Sequence, residues 1–314
     1  MIDFSDIQAA AARLRGKAHV TPIQTCAHID ELTGARVFFK CENLQRVGAF
    51  KFRGATNAIA SLSDAEAERG VATQSSGNHG QAVALAAKLR AIPAYVVMPN
   101  NVPAIKRAAV AGYGAEIIEC EPTAAARDRT LDRVASETGA YVVHPYNDWR
   151  VMAGQGTAAL ELCEAVPDLD LVLTPVSGGG LLAGTATSVK HLVPTAQVIG
   201  AEPAGADDAW RSFRAGRRIT DIKPDTIADG LRAIIGEKPF SVIRARVDDI
   251  VRVDDAATIR AMRLVWERMK LVIEPSAAVP VAALLERTIE TEGRRIGVIL
   301  SGGNVDLDRL PWQN

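Results

Sequence analysis

The chain predicts an α/β fold with open, mostly parallel sheets flanked by helices, and two observations carry that prediction. Short apolar runs recur at 37–41, 70–73, 94–98, 116–120, 141–144, 171–176, 198–201, 250–253 and 296–300, several of them apolar at nearly every position. Between them lie Ala-rich stretches of helical character, such as 81–89 and 105–111. A strand with no in–out alternation suits a parallel sheet covered on both faces, and repeated βα alternation sets such strands side by side. The segment from about residue 54 to 146 holds its own βαβαβαβ series. Composition alone leaves open whether it forms a separate inserted lobe. No Pro/Ser/Gly-rich linker, low-complexity tract or internal repeat marks a boundary.

With 314 residues, 48% of them hydrophobic, the chain can bury a sizeable core, more easily as two lobes than as one. Its 36 basic and 37 acidic residues nearly cancel, so nothing in the charge favours nucleic acid or an anionic membrane. Runs such as Arg217-Arg218 and Arg294-Arg295 read as solvated surface. Cys26, Cys41, Cys120 and Cys163 are scattered without C-x-x-C spacing and read as reduced, buried thiols. The opening residues Met1–Asp6 lack the apolar core of a signal peptide, and no apolar stretch is long enough to span a bilayer. The expectation is a soluble, cytoplasmic protein.

Four motifs carry chemistry. In Gly48-Ala49-Phe50-Lys51-Phe52-Arg53-Gly54-Ala55 a lysine stands between two phenylalanines at the start of a helix. Desolvation lowers an amine's pKa, which a nucleophilic or Schiff-base lysine requires. A lysine snorkelling from an apolar patch gives the same pattern. Ser75-Ser76-Gly77-Asn78-His79-Gly80-Gln81-Ala82 follows a strand and opens a helix. Its hydroxyls, amide and glycines make a cradle for an anion such as a carboxylate, although one polar residue there would serve as an ordinary cap.

Ser177-Gly178-Gly179-Gly180-Leu181 follows the 171–176 run. Contiguous glycines let the backbone close on a phosphate at a helix N-terminus. The same residues offer a rival. Gly178-x-Gly180-x-x-Ala183, with Glu202 about 20 residues on, fits the dinucleotide fingerprint of a nicotinamide oxidoreductase. That alternative leaves the first two motifs without a purpose. The fourth motif, Ser301-Gly302-Gly303-Asn304, closes the 296–300 run and offers a hydroxyl that can meet a heterocyclic nitrogen, or a plain turn. Strand-end loops of an open α/β sheet converge on one crevice, which favours a single site.

Taken in order from Thr21-Pro22 to Asn304, these motifs resemble the fold-type II pyridoxal-phosphate enzymes: serine/threonine dehydratases, serine racemases and 3-hydroxyaspartate ammonia-lyases. The resemblance implies a tryptophan-synthase-β-like architecture, with residues 1–53 and 147–314 as a large cofactor-binding lobe and 54–146 as a small inserted one. It implies that Lys51 carries the cofactor as a Schiff base, with Phe50 beside it. Ser177, Gly178, Gly179, Gly180 and Leu181 would hold the phosphate, Asn78 would contact the pyridine hydroxyl, and Ser301 would face the ring nitrogen. Ser75, Ser76, Gly77, Asn78 and His79 would receive the substrate carboxylate.

Further matches point to the racemase branch. Gly200-Ala201-Glu202-Pro203-Ala204-Gly205-Ala206-Asp207-Asp208 resembles its metal-binding stretch, which implies that Glu202, the Ala206 carbonyl and Asp208 hold Mg2+ or Ca2+. Ser76 stands where racemases and hydroxyaspartate lyases carry an acid/base serine and many dehydratases carry alanine. Arg127 matches a racemase arginine that reaches the substrate, and it could pair with a β-carboxylate. Two positions depart from the pattern: Ala49 replaces a serine, and Gln74 replaces a histidine of mammalian racemases. The chain stops soon after Asn304, so a C-terminal regulatory domain and isoleucine feedback are not expected. The implied activity is a lyase that removes water and ammonia from L-serine, L-threonine or 3-hydroxyaspartate, with serine racemisation as the alternative. A homodimer is the family expectation.

Overall fold

The computed structural model describes residues 1–102 and 104–313; Pro103 and Asn314, which fall within the two expected lobes, lie outside the described residues. Ten strands are assigned: β1 (Ile23–Gln24), β2 (Arg36–Cys41), β3 (Val71–Gln74), β4 (Ala94–Pro99), β5 (Glu116–Cys120), β6 (Tyr141–Val142), β7 (Leu171–Pro175), β8 (Gln197–Pro203), β9 (Asp249–Val253) and β10 (Arg295–Leu300). They form a six-stranded sheet in the order β1-β2-β10-β7-β8-β9 and a four-stranded sheet in the order β5-β4-β3-β6. Every pairing is parallel except β1 with β2. The α/β class and the nine apolar runs are thus found as strands. Two residues are too short a run to announce β1, and β6 stops at Val142. Beyond it the His144 Nδ1 accepts hydrogen bonds from the backbone N–H groups of Tyr146 and Asn147, which turns the chain away from the sheet.

The doubly apolar runs are explained by the packing. Val172 of β7 and Ile299 of β10 enter one core cluster, while Leu171, Leu173, Val298 and Leu300 enter another on the opposite face. Helices cover both faces. Two of them, Trp149–Ala165 and Gly180–Leu192, touch backbone to backbone: a Cβ on Gly184 would lie 2.6 Å from the Gly156 nitrogen. Only glycine permits that approach, and it fixes the height at which the 180–192 helix begins.

Parallel register brings the C-terminal ends of β2, β10 and β7 to one side, with Leu300 opposite Cys41 and Val298 opposite Leu173. After β2 the chain makes two short 3-10 turns through Val47 and Gly48, both with positive φ, and enters the helix Lys51–Ala60. Backbone bonds stitch this entry to the end of β10. Phe50 N donates to Ser301 O (3.0 Å), and Gly303 N donates to Gly48 O (2.9 Å).

A buried ionic cluster locks the same helix from below. Arg53, 1% exposed, donates to both oxygens of Glu42 (2.7 and 2.8 Å) and both of Glu161 (2.7 and 2.8 Å). Lys40 adds a 2.6 Å bond to Glu161, and Thr21 adds one to Glu42. Burial opposes the charge on Glu42, but the Arg53 guanidinium outweighs it and holds the carboxyl below the usual range. Removing one partner of such a cluster leaves an unpaired buried charge, which costs about 3–5 kcal/mol. Arg53→Met is therefore expected to lower the unfolding free energy by that amount in urea titration, and a loss under 1 kcal/mol would show that the cluster contributes little.

Among the described residues no helix is long and apolar enough to cross a membrane, and all four cysteines are free thiols.

Candidate functional site

Lys51 is the first residue of its helix, held beside the end of β10 by the stitching of residues 48–50 to 301–303. Its ammonium donates to the Pro145 carbonyl (2.9 Å) and lies 5.1 Å from the Phe50 ring centroid. Burial among these groups pushes the Lys51 amine down from 10.5 to about 8, and the nearby Glu274 carboxylate moderates the fall. At pH 7 about one amine in ten is then neutral, against roughly one in 3,000 for an ordinary lysine.

The second motif lies at the end of β3. Ser75 and Ser76 leave the strand, Gly77 is the N-cap, and Asn78 begins the helix Asn78–Arg90. No side chain among the described residues caps this helix, which leaves its first N–H groups available to a carboxylate, and Ser75 Oγ accepts from Gly77 N (3.3 Å). Asn78 reaches across to two residues from the far end of the chain. Its Nδ2 donates to both oxygens of Glu274 (3.0 and 3.2 Å), and its Oδ1 accepts from Asn304 (2.9 Å).

His79 belongs to this loop by its backbone, not by its ring. Its imidazole is buried, Nε2 is bonded to the Val143 carbonyl (2.9 Å), and Nδ1 has no partner. Burial and the charge on Lys51 push it down to about 3, so the ring is neutral and its single N–H is spent on Val143. What His79 can offer a ligand at this loop is its backbone N–H.

The glycine motif is the N-terminus of the helix Gly180–Leu192. Gly179 is its N-cap with φ +92°, and no side chain caps the helix. A Cβ on Gly178 would lie 2.4 Å from the Tyr146 ring, and one on Gly179 would lie 2.8 Å from Pro239. The loop therefore needs glycine both for its backbone angle and for its neighbours. Ser177 braces it, its Oγ donating to Ala233 O (2.9 Å) and accepting from Ala233 N (3.0 Å). Leu181 is buried in the first turn of the helix. Uncapped N–H groups at a loop with no room for side chains suit a phosphate.

Ser301 is buried at the end of β10, its carbonyl bonded to Phe50 and its hydroxyl without a partner among the described residues. Lys51, Asn78 and Ser301 are thus linked through residues 48–50, Glu274 and Asn304. Among the described residues no side-chain hydrogen bond or ion pair joins Arg127 to them. It is exposed in the first turn of the helix Ala124–Thr138, near enough to Tyr146 for its charge to oppose the rise that burial gives that phenol. Gln74 donates to Asp128 on the same helix (2.6 Å).

Glu202 and Asp208 form a separate cluster at the end of β8. Glu202 is fully buried and accepts from the Ala209 and Trp210 amides (3.1 and 2.8 Å); Asp208 accepts from the Ile235 amide (2.7 Å). Burial and mutual repulsion raise the Glu202 carboxyl well above its usual range, and burial raises Asp208 to about 6. The arginines nearby serve Asp207 instead, through Arg211 and Arg252 (2.7 and 2.6 Å). A ribose cannot reach a fully buried Glu202 held by two backbone amides, whereas a small cation can share its remaining lone pairs, which weighs against the dinucleotide alternative. Among the described residues no group of three or more His, Cys, Asp or Glu side chains could hold a metal. Two carboxylates and the buried Ala206 carbonyl are an all-oxygen set suited to a hard cation.

Glu274 went unread in the sequence. The signal was there: a lone acid inside Leu271-Val272-Ile273-Glu274-Pro275, at a helix cap that glutamate rarely fills.

Comparison with known proteins gives a consistent picture. The family model described as "Pyridoxal-phosphate dependent enzyme" matches residues 14–302. A β-hydroxyaspartate dehydratase of Paracoccus denitrificans is 49% identical over 98% of both chains. Serine racemase of Homo sapiens is 47% identical, over 99% of this chain and 94% of that one. The structure of maize serine racemase superposes with a TM-score of 0.96 at 46% identity, covering 98% of this chain and 94% of that one.

Competitive labelling with an amine-acylating reagent is expected to give a Lys51 rate half-maximal near pH 8, well below the pH at which an ordinary amine would level off. A Lys51 profile matching the surface lysines would remove the argument for an activated amine.

Proposed function

Because this chain belongs to the pyridoxal-phosphate-dependent enzymes, we propose that it is an ammonia-lyase that converts a small β-hydroxy amino acid to a 2-oxo acid. The observation that carries this reading is the Lys51 amine, depressed by burial and pinned to the strand end that also bears Ser301. The residues fit the cofactor. The uncapped glycine loop 177–181 suits its phosphate, Asn78 its ring hydroxyl, and the unpartnered Ser301 hydroxyl its ring nitrogen. Strands of the second sheet all come from residues 71–142, which supports two lobes, 54–146 and the remainder, with the site between them.

When bound, pyridoxal phosphate holds the substrate's nitrogen covalently and delocalises the electrons left at its α-carbon. The protein supplies the rest. The helix start at residues 75–79 binds the substrate carboxylate through backbone N–H groups and the serine hydroxyls. The Lys51 Nζ, neutral in a useful fraction near pH 7, takes the α-proton as general base. A neutral serine rather than a carboxylate at the ring nitrogen limits how long charge rests there, which favours prompt loss of the β-hydroxyl. The β-hydroxyl leaves as water, and a water molecule then hydrolyses the released enamine to the 2-oxo acid and ammonia. The dehydratase relative supports β-hydroxyaspartate as substrate, with Arg127 as the partner of its second carboxylate.

A second reading is favoured by one residue. Ser76 carries a hydroxyl beside the carboxylate position, where it can return a proton to the α-carbon from the face opposite Lys51. Serine racemisation would then accompany elimination, as the racemase relatives suggest. The test is a visible spectrum of the purified protein with L-serine, L-threonine and L-threo-3-hydroxyaspartate in turn. One of them is expected to shift a yellow band and release ammonia, and Lys51→Ala is expected to lack both band and turnover. Ser76→Ala is expected to slow racemisation on the order of 100-fold, the worth of a positioned acid/base, and elimination far less. Equal losses in both would exclude the second-base role.

Glu202, the Ala206 carbonyl and Asp208 would hold Mg2+ or Ca2+, bracing the 202–208 segment against residues 233–235, where Ile235 bonds Asp208 and Ala233 bonds Ser177. A cation at about 100 times its dissociation constant stabilises the folded state by about 2.7 kcal/mol. The melting temperature of the wild type is expected to rise by several degrees with either ion, and that of Asp208→Asn to stay put. An equal rise in both would move the cation elsewhere. A cytoplasmic homodimer completes the reading.

A further inference from the structure

Asn78 is anchored by a residue that none of the sequence motifs contains. Glu274 is 4% exposed, at the N-cap of the helix Pro275–Leu285, and its own side chain does not cap that helix. It turns instead towards the ligand crevice. Both its oxygens accept from Asn78 Nδ2 (3.0 and 3.2 Å), and a Cβ on Gly302, next to Ser301, would lie 2.8 Å from its Oε1. Backbone bonds hold it in place, Glu274 N donating to Gly302 O (3.0 Å). Asn78 Oδ1 is meanwhile fixed by Asn304. One amide proton of Asn78 thus goes to Glu274, leaving the other as its single free donor.

We propose that Glu274 is a positioning residue of this site: its buried carboxylate fixes the side-chain amide of Asn78 and thereby aims that amide's remaining N–H at the cofactor ring. The inference rests on the reading of Asn78 as a cofactor contact. A carboxylate acceptor also polarises the amide, so the remaining N–H becomes a stronger donor to the ring oxygen. The groups that face Glu274 are Lys51 from the 51–60 helix, Lys106 from the helix Ala104–Ala111, Asp229 from the turn Asp229–Leu231 and the Asn304 backbone; Lys106 and Asp229 are paired to each other at 2.9 Å. Burial, with Asp229 adding to it, lifts the Glu274 carboxyl to about 7. Its charge is present above that pH and lost below it.

The test is a double-mutant cycle on cofactor affinity, with pyridoxal phosphate titrated into apoprotein and followed by the visible band. At pH 8.5, Glu274→Gln, which keeps the size of the side chain, is expected to weaken binding about ten-fold. In the Asn78→Ala background the same change is expected to have under two-fold effect. The ratio of wild type to Glu274→Gln is expected to fall towards one at pH 5.5, where the wild-type carboxyl is itself neutral. A merely structural role would leave that ratio constant across pH. Equal factors in both backgrounds, or a ratio that does not change with pH, would overturn the inference while leaving the Lys51 reading intact. A wild type that forms no visible band with the cofactor would overturn both.

Discussion

Arg53 sits two residues after Lys51 and binds four carboxylate oxygens in the dark centre of the molecule. Glu42 follows β2, Glu161 belongs to the 149–165 helix, and Arg53 belongs to the helix that carries the reactive amine. A guanidinium is planar and forked, so bidentate bonding on two sides leaves it little rotational freedom. The helix it anchors can neither slide nor roll without breaking several charge-assisted bonds at once. An amine on the first turn of that helix inherits the constraint. The position of Lys51 therefore derives from polar geometry below it, whereas its chemistry derives from apolar surroundings above. Neither alone would give an amine both fixed in place and easily deprotonated.

Two sides of the site differ in how they treat charge. On the helix-start side, at 75–79 and 177–181, the backbone presents partial positive charge with no acidic side chain capping it. On the other side, Glu274 is a carboxylate near the threshold of ionisation. The first side suits an anionic ligand group, and the role proposed for Glu274 on the second is to orient a hydrogen-bonded ring. This division of labour also separates the phosphate-monoester reading from the dinucleotide one. The glycine pattern at 178–183 fits either, and the decision falls to Glu202, which points into the protein and accepts backbone amides.

Much of this was legible beforehand, for identifiable reasons. Strands such as β7 and β10 announce themselves because both their faces meet core, which leaves an uninterrupted apolar run. The loops at 75–79, 177–181 and 301–304 stand out because ligand-binding turns concentrate glycine and short polar residues. Membership of the 75–79 motif says nothing of side-chain direction: the next residue on a helix points about 100° away, so the His79 imidazole turns inward to Val143 while its backbone stays with the loop. Glu274 was hidden for the opposite reason. Its partners Asn78 and Asn304 lie 196 residues before it and 30 after, so a lone acid in an apolar segment marks the residue but not what it meets. Arg127 stays a matter of family likeness, since its side chain meets nothing that would fix its direction.

The place of β10 in the sheet has a consequence for biosynthesis. It lies between β2 and β7, yet it follows every other strand in the chain. A ribosome adding about 5–20 residues per second needs roughly 13–50 s to travel the 252 residues from Lys51 to Gly303. Throughout that interval the apolar edge of β2 has no parallel partner, and the backbone before Lys51 has nothing to be stitched to. Such an edge is an invitation to aggregation. The crevice beside Lys51 is thus finished only once β10 has been made, so a nascent chain presents its lysine long before it can use it.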